Sequence, residues 1–293
     1  MEASAITNIL LPLALGVIMF GLGLSLTLAD FRRVAVYPRA VVAGLILQMV
    51  VLTTAAFGVA KLFGLAPELA VGLMLLAASP GGATANIFSH LARGDVALNI
   101  TLTAINSAFS LLTLPLIVNW ALDHFVGRGQ YIPPPVGKVV EVAAIIVLPV
   151  VLVMVVRGRA PGFAARMERP IRIFAVVVLA LLIAGAIAQE WKRLGPALAA
   201  VGVACLAFNL VSMAVGYAVP LAIRLPRRQA IAIAMEIGIH NGTLAIFIAL
   251  NVLQSAPISL APAIYSLLMF VTASVFIFVL SRRHAVDPKA ARA

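Results

Sequence analysis

The sequence predicts an all-α integral membrane protein with nine transmembrane helices. Of its 293 residues, 63% are hydrophobic and only 11% are charged, and the mean hydropathy is +1.13. These values lie far outside the range of soluble globular domains. The net charge of +11 does not indicate nucleic-acid binding, because the basic residues lie in short gaps between apolar stretches, where they set membrane topology.

Nine stretches are long and apolar enough to cross a bilayer. They cover residues 6–28, 40–62, 69–92, 96–122, 138–156, 171–189, 197–222, 229–253 and 259–281. The first has no basic segment before it and no small-residue cleavage site after it, so we expect a retained helix. The single cysteine, Cys205, lies inside the seventh span, where we expect it to pack as a small hydrophobe.

The distribution of basic residues predicts the orientation. If the N-terminus lies outside, 16 of the 21 Lys and Arg residues face the cytoplasm. This asymmetry favours an outward N-terminus, a cytoplasmic C-terminus and an odd number of spans. We therefore expect a multi-pass protein of the cell inner (cytoplasmic) membrane.

The third and eighth spans are interrupted in mid-membrane. The interruptions are Pro80-Gly81-Gly82 in the third span and Gly238 with Asn241-Gly242 in the eighth. Each lies in the penultimate span of its half, and the predicted topology makes the two spans run in opposite directions. This pattern is typical of an inverted repeat with two broken helices around a transport site. Gly and Pro also merely kink many transmembrane helices, so either break alone leaves both interpretations open.

Glu236 is the only acidic residue near the middle of a span, and no span carries a Lys or Arg away from its ends. A carboxylate at this depth is costly and usually functional. The compensating charge is therefore expected to come from outside the chain, as a sodium ion or a proton.

Two segments resemble the crossover motifs of the bile acid:sodium symporter family, which includes the apical sodium-dependent bile acid transporters and their bacterial homologues. The segments run from Ser79 to Asn86 and from Glu236 to Ala245, and the resemblance extends from Gly16 through the ninth span. It implies a single transporter unit over residues 1–293. In this unit a core (40–62, 69–92, 96–122, 197–222, 229–253 and 259–281) would move against a panel (6–28, 138–156 and 171–189), and the two broken helices would cross at the core's centre.

The resemblance also implies two sodium sites. The first would use Ala85, Asn86, Asn99, Thr103 and Glu236, and the second Gln48, Glu236, Ile237, Ile239 and His240. Carboxylate, amide, hydroxyl and carbonyl oxygens suit this hard cation. The family often has Ser at the positions of Ala85 and Asn99, and usually has Gln at that of His240. Because an imidazole has an unperturbed pKa of about 6.5, coupling to one sodium ion alone, or to one sodium ion and one proton, stays open.

An anionic substrate would balance the charge of two sodium ions around one carboxylate, and freed helix ends favour a carboxylate group. The candidate substrate-binding residues are Ala83, Thr84, Asn241, Gly242 and Thr243. Bile acid carriers of the family place polar residues midway along the last helix, whereas this chain has Met269 and Phe270. A smaller acid, such as pantoate or a keto acid, is therefore favoured over a bile acid.

The sequence thus predicts a sodium-coupled symporter of a small organic anion, working by alternating access around a midplane crossover. The alternatives are a proton-coupled or single-sodium carrier, and a channel or sensor with a vestigial ion site. Enzyme activity is disfavoured, because the other three histidines lie near span ends and a catalytic zinc needs three protein ligands. We expect no organic cofactor, no transition metal and no nucleic-acid partner; the lipid bilayer and the substrate are the expected partners.

Overall fold

A computed structural model describes residues 38–127 and 198–286 continuously, and a few scattered positions outside those ranges. The described residues are helical apart from short turns and the two breaks considered below. Their helices are α1 (Pro38–Leu62), α2 (Pro67–Ala78), α3 (Ala83–Leu91), α4 (Val96–Phe125), α5 (Leu198–Ala222), α6 (Arg227–Gly238), α7 (Gly242–Val252) and α8 (Ala256–Val286).

The described helices suit a membrane. Three of them, α1, α5 and α8, are long and apolar enough to cross a bilayer, and α4 is a fourth if its two bent halves count as one span. The two halves of α4 meet at 58°, between Ser110 and Leu112. The bend lies about one turn before Pro115, which has no N–H to donate a hydrogen bond to the preceding turn. The protein is a multi-pass membrane protein.

Three of the nine predicted spans, 6–28, 138–156 and 171–189, fall outside the described residues or on scattered positions among them. The count of nine helices and the division into core and panel therefore remain predictions.

The described helices form two sets with matching lengths. α1, α2 and α4 begin at residues 38, 67 and 96, and α5, α6 and α8 begin at 198, 227 and 256, each 160 residues later. The turns that follow α1 and α5 are alike. Each contains a residue in the left-handed region, Gly64 with φ 56° and Arg224 with φ 62°. The next residue, Leu65 or Leu225, donates to a carbonyl five residues earlier, which closes the helix end in the same way.

The short helices α2 and α6 form the centre of the described structure. Every residue of 70–82 and of 229–242 is buried, although α6 carries Gln229 and Glu236 among its apolar residues. α1, α5 and α8 instead expose large apolar side chains such as Val42, Leu210 and Val271. Such apolar exposed faces suit contact with lipid or with further transmembrane helices.

The two breaks lie against each other. The first break (79–82) separates α2 from α3, and the second (239–241) separates α6 from α7. Gly81 and His240 form an isolated antiparallel bridge, so the two strands of irregular backbone cross in opposite directions.

Backbone hydrogen bonds join the breaks on both sides of this bridge. The Gly82 N–H donates to the Ile239 carbonyl at 2.7 Å, and the Asn241 N–H donates to the Pro80 carbonyl at 2.8 Å. Interrupting a helix in an apolar environment leaves polar groups that are costly unless paired. Each break therefore supplies the partners that the other has lost.

Contacts at the helix ends show how α2 and α6 are directed. The Arg39 guanidinium, at the start of α1, donates to the Ile223 carbonyl just before α6. The Asp95 N–H, at the start of α4, donates to the Arg228 carbonyl in the first turn of α6. α6 therefore begins beside the start of α1, whereas α2 begins just after the end of α1. The two helices thus begin at opposite ends of α1.

Candidate ion and substrate site

Glu236 lies in the last turn of α6 with its side chain completely buried. Two side chains of α4 hold its carboxylate. The Thr103 hydroxyl donates to Oε2 at 2.5 Å, and the Asn106 amide donates to Oε1 at 3.1 Å. Both partners are neutral, so they solvate the carboxylate without balancing its charge.

The first break brings backbone directly against this carboxylate. A Cβ added to Gly81 would overlap the carboxyl group of Glu236. Only glycine leaves room for such an approach. The break between α2 and α3 and the carboxylate on α6 therefore form one site.

The other residues of the first predicted group lie on α3 and α4. The Asn99 amide donates to the Ala232 carbonyl at 2.7 Å, whereas its Oδ1 atom is buried without a hydrogen-bond partner. Ala85 is fully buried and Asn86 is half-buried on α3, which packs against both α4 and α6. The structure thus gathers these side chains around the junction of three helices.

Two residues of the second predicted group, Gln48 and His240, meet at the Ser79 carbonyl. Gln48 lies in a π-helical turn of α1, and its amide donates to the carbonyls of Ala77 at 3.0 Å and Ser79 at 3.1 Å. The Nδ1 atom of His240 lies 3.2 Å from the same Ser79 oxygen. Because a carbonyl only accepts, this bond requires the proton on Nδ1. Gln48 Oε1 and His240 Nε2 are left buried without hydrogen-bond partners.

Ile237 and Ile239 complete this second group through their backbones. Ile237 lies in the last turn of α6 and Ile239 in the break, and both side chains are buried. The Ile239 carbonyl already accepts from Gly82, but a carbonyl oxygen has a second lone pair available for an ion.

A network that the sequence analysis missed supports the end of α6. Asn209 on α5 and the Tyr265 hydroxyl on α8 both donate to the Gly238 carbonyl at 2.9 Å, and Asn209 also donates to Tyr265 at 2.8 Å. The His240 ring stacks on Phe208 and meets Tyr265 edge-on. These contacts hold the imidazole and the freed helix end in one position.

The predicted substrate-binding residues lie where α3 and α7 begin. Ala83 and Thr84 form the start of α3, and Gly242 and Thr243 form the start of α7. Asn241 caps α7, with its side chain accepting from the Leu244 N–H at 3.0 Å. Both helix N-termini therefore adjoin the crossing of the breaks, where their N–H groups favour an anion.

Asn106 is a functional candidate that the sequence analysis did not single out. It lies three residues after Thr103 and seven after Asn99, a spacing that places all three on one face of a helix. The same spacing in the sequence could have identified Asn106 as a candidate.

Within the described ranges, no group of three or more His, Cys, Asp or Glu side chains is arranged to hold a metal ion. The polar atoms around the breaks are instead mostly amide, hydroxyl, carboxylate and carbonyl oxygens, which suit a hard cation.

A multi-pass helical protein with two broken helices crossing beside a buried carboxylate has the arrangement typical of secondary transporters. The chain belongs to the Sodium Bile acid symporter family, whose profile matches residues 12–196. This confirms the resemblance seen in the two crossover motifs.

Several relatives are similar over most of the chain. The "Probable sodium/metabolite cotransporter BASS1, chloroplastic" of Oryza sativa subsp. japonica is 28% identical, over 79% of this chain and 56% of its own length. The "Uncharacterized sodium-dependent transporter YocS" of Bacillus subtilis is 25% identical, over 86% and 77%. The "Ileal sodium/bile acid cotransporter" of Oryctolagus cuniculus is 24% identical, over 94% and 79%. The chain spans 56% and 65% of the lengths of the rice and Arabidopsis thaliana relatives.

Proposed function

We propose that this protein is a sodium-coupled symporter of a small organic anion that works by alternating access around the crossing of its two broken helices. The observation that carries the proposal is the buried Glu236 carboxylate, which has neutral hydrogen-bond partners and lies against the backbone of the first break. A buried charge of this kind needs a cation close by. Membership of the symporter family supports sodium as that cation.

The first sodium ion would bind Glu236 with Asn99 and Thr103, joined by Asn86 and the Ala85 carbonyl. The unpartnered Asn99 Oδ1 supports this assignment, because its amide nitrogen is already engaged and only the oxygen is left to bind. The residues present thus fit the oxygen ligands that sodium prefers.

The second sodium ion would bind Gln48, Glu236, His240 and the carbonyls of Ile237 and Ile239. Gln48 Oε1 offers an unpartnered oxygen. His240 offers Nε2, because Nδ1 carries the proton toward Ser79. The alternative is a carrier of one sodium ion, with or without a proton on this same Nε2 atom. Uptake with a sodium Hill coefficient near two would exclude that alternative.

The substrate would lie at the starts of α3 and α7, near Thr84, Asn241 and Thr243, where helix N-termini attract a carboxylate. In the middle of α8, Met269 is buried and Phe270 stacks on Phe88 of α3 with ring centroids 5.8 Å apart. This apolar packing supports a small acid, such as pantoate or a keto acid, rather than a bile acid.

The proposed architecture is a nine-helix inverted repeat with a six-helix core and a three-helix panel, lying in the inner membrane with its N-terminus outside. Three observations support it: the constant spacing of 160 residues between the two sets of helices, the opposite starting points of α2 and α6, and the antiparallel crossing of the breaks.

The test replaces Glu236 with Gln, which keeps the shape and removes the charge. We expect Glu236→Gln to lose sodium-driven uptake in proteoliposomes, and to lose the thermal stabilisation that sodium gives the purified wild-type protein over potassium. Glu68→Gln is the matched control, because it makes the same change in the first turn of α2, outside the proposed site.

Undiminished sodium-driven transport by Glu236→Gln would contradict the proposal. The same assay separates a carrier from a channel. In a sodium gradient a symporter accumulates its substrate above the outside concentration, whereas a channel only equilibrates it.

A further inference from the structure

A small cavity, with a volume of about 10 Å³, lies between α1, α2 and α4, next to the proposed sodium sites, and has both polar and apolar lining. Gln48 and Pro80 line it near the first break, and Asn106, Ser110 and Thr113 line it along α4. Gln48 and Asn106 are only 3% and 2% exposed. The cavity therefore extends from the ion site along one face of α4, away from the N-terminal end of that helix.

The polar side chains around this cavity use most of their hydrogen-bond donors elsewhere. The Gln48 amide donates to α2 carbonyls, and the Asn106 amide donates to Glu236. The Ser110 hydroxyl donates to the Ser107 carbonyl at 2.8 Å, and the Thr113 hydroxyl donates to the carbonyl of Phe109 at 3.2 Å.

These side chains keep oxygen atoms that can only accept. Gln48 Oε1 and Asn106 Oδ1 are buried without hydrogen-bond partners. The Ser110 and Thr113 hydroxyls have lone pairs left after donating to their own helix. Ser and Thr hydroxyls in membrane proteins often donate to a carbonyl of their own helix. That pattern does not explain two buried amide oxygens without hydrogen-bond partners on residues that line one cavity. A surface of acceptors suits a cation and disfavours an anion.

We propose that this cavity is a further cation site, in which Asn106, Ser110 and Thr113 hold a sodium ion on its way to or from Glu236, with Gln48 shared between this site and the second sodium site. The identity of the ion rests on the proposed function. Asn106 links the two positions, because its nitrogen binds the carboxylate and the residue also lines the cavity, with its Oδ1 atom buried and without a hydrogen-bond partner.

The spacing along α4 supports a route. Polar residues that follow one another at intervals of three or four share one helix face. Those residues are Asn99, Thr103, Asn106 and Ser110 in the first half of α4, before its bend. At 1.5 Å per residue this stripe is roughly 17 Å long, so it leads from the first sodium site to the cavity.

The experiment measures equilibrium binding of radioactive sodium to the purified full chain in lipid nanodiscs at constant ionic strength. The test variants are Ser110→Ala and Thr113→Val. Their matched controls are Ser274→Ala and Thr54→Val, because those hydroxyls also bond back to their own helix but are exposed elsewhere. We expect the cavity variants to weaken sodium binding about tenfold, the low end for losing a group that supports a metal site, and the controls to leave it unchanged.

Asn106→Asp provides an independent variant. It places a second carboxylate beside Glu236, so we expect tighter sodium binding and a lower melting temperature in sodium-free buffer. Sodium affinities of Ser110→Ala and Thr113→Val equal to those of their controls would show that the cavity holds water only. Weaker sodium binding by Asn106→Asp would also overturn the site. If the wild-type protein binds no sodium, the proposed function itself fails, which is a distinct result.

Discussion

At the residue scale, Glu236 poses an energetic problem that its neighbours do not solve. Each hydrogen bond to a charged group contributes about 1.5–3 kcal/mol, whereas burying an ion costs several kcal/mol even after the protein has relaxed. The hydrogen bonds from Thr103 and Asn106 are of the same order as this cost, but both donors are neutral and supply no positive charge. The charge of the carboxylate is left unbalanced, and this is the physical basis of the coupling to a cation that we propose.

Gly81 is the residue through which the first break contacts this carboxylate, so its substitution tests that contact. We expect Gly81→Ala to lower the free energy of unfolding by about 1–3 kcal/mol, because the new Cβ would overlap the Glu236 carboxyl group. Thermal unfolding in detergent measures the loss, and sodium-driven uptake should fall with it.

Gly58→Ala is the control for this substitution. Gly58 lies inside helix α1 with nothing near an added Cβ, so alanine should be neutral or stabilise by about 0.5–1 kcal/mol. Full sodium-driven uptake by Gly81→Ala would show that the close approach of the break to Glu236 is unimportant.

At the element scale, the two broken helices depend on each other for their backbone hydrogen bonds. Gly82 and Asn241 each donate across the crossing, and Asn209 with Tyr265 covers the Gly238 carbonyl at the end of α6. The breaks are therefore ordered structures with partners, rather than weak points in two helices. An ordered break can present the N-termini of α3 and α7 to a substrate in a defined position.

Asn241 tests whether those helix starts bind an anion. Asn241→Asp keeps an oxygen that can cap α7, but it places a negative charge where we propose the substrate carboxylate. We expect substrate binding to weaken by at least about tenfold, equivalent to about 1.4 kcal/mol, while sodium binding is retained. Substrate-dependent and sodium-dependent thermal shifts of the purified protein measure the two effects separately.

Asp95→Asn is the matched control, since Asp95 caps α4 in the same way by accepting from the Leu98 N–H. It makes the reverse change at a helix start away from the breaks. A loss of sodium binding without a loss of substrate binding in Asn241→Asp would contradict the assignment.

At the scale of the whole molecule, the proposed orientation places the turn after α1 outside the cell and the turn after α5 in the cytoplasm. Cysteine labelling in intact cells tests this. In a Cys205→Ala background, which removes the only cysteine, we expect a membrane-impermeant maleimide to label Ala66→Cys but not Ile223→Cys. Both positions are exposed in the structure.

Cells made permeable should show labelling of both cysteines, which controls for reactivity. The reverse pattern in intact cells would overturn the outward N-terminus, because the end of α5 lies beside the start of α1, at the other end of that helix from Ala66.

Much of this protein follows from the sequence by itself. The apolar lengths determine that it is a membrane protein, because only a bilayer accommodates such stretches. Proline and glycine mark where α2 and α6 end, since they remove a donor or loosen the backbone whatever surrounds them. Glu236 is recognisable because a mid-span carboxylate is costly in any packing. The family follows from the two motifs around the breaks.

Only the tertiary structure decided which side chains contact Glu236 and the ends of the broken helices. Thr103 and Asn106 reach Glu236 across 133 and 130 residues of sequence, and Asn209 and Tyr265 converge on Gly238 from two further helices. Such contacts depend on which helices are neighbours and on how they are rotated, and apolar transmembrane spans all carry nearly the same pattern. For that reason the sequence identifies the buried charge and the broken helices, whereas packing selects the side chains that surround them.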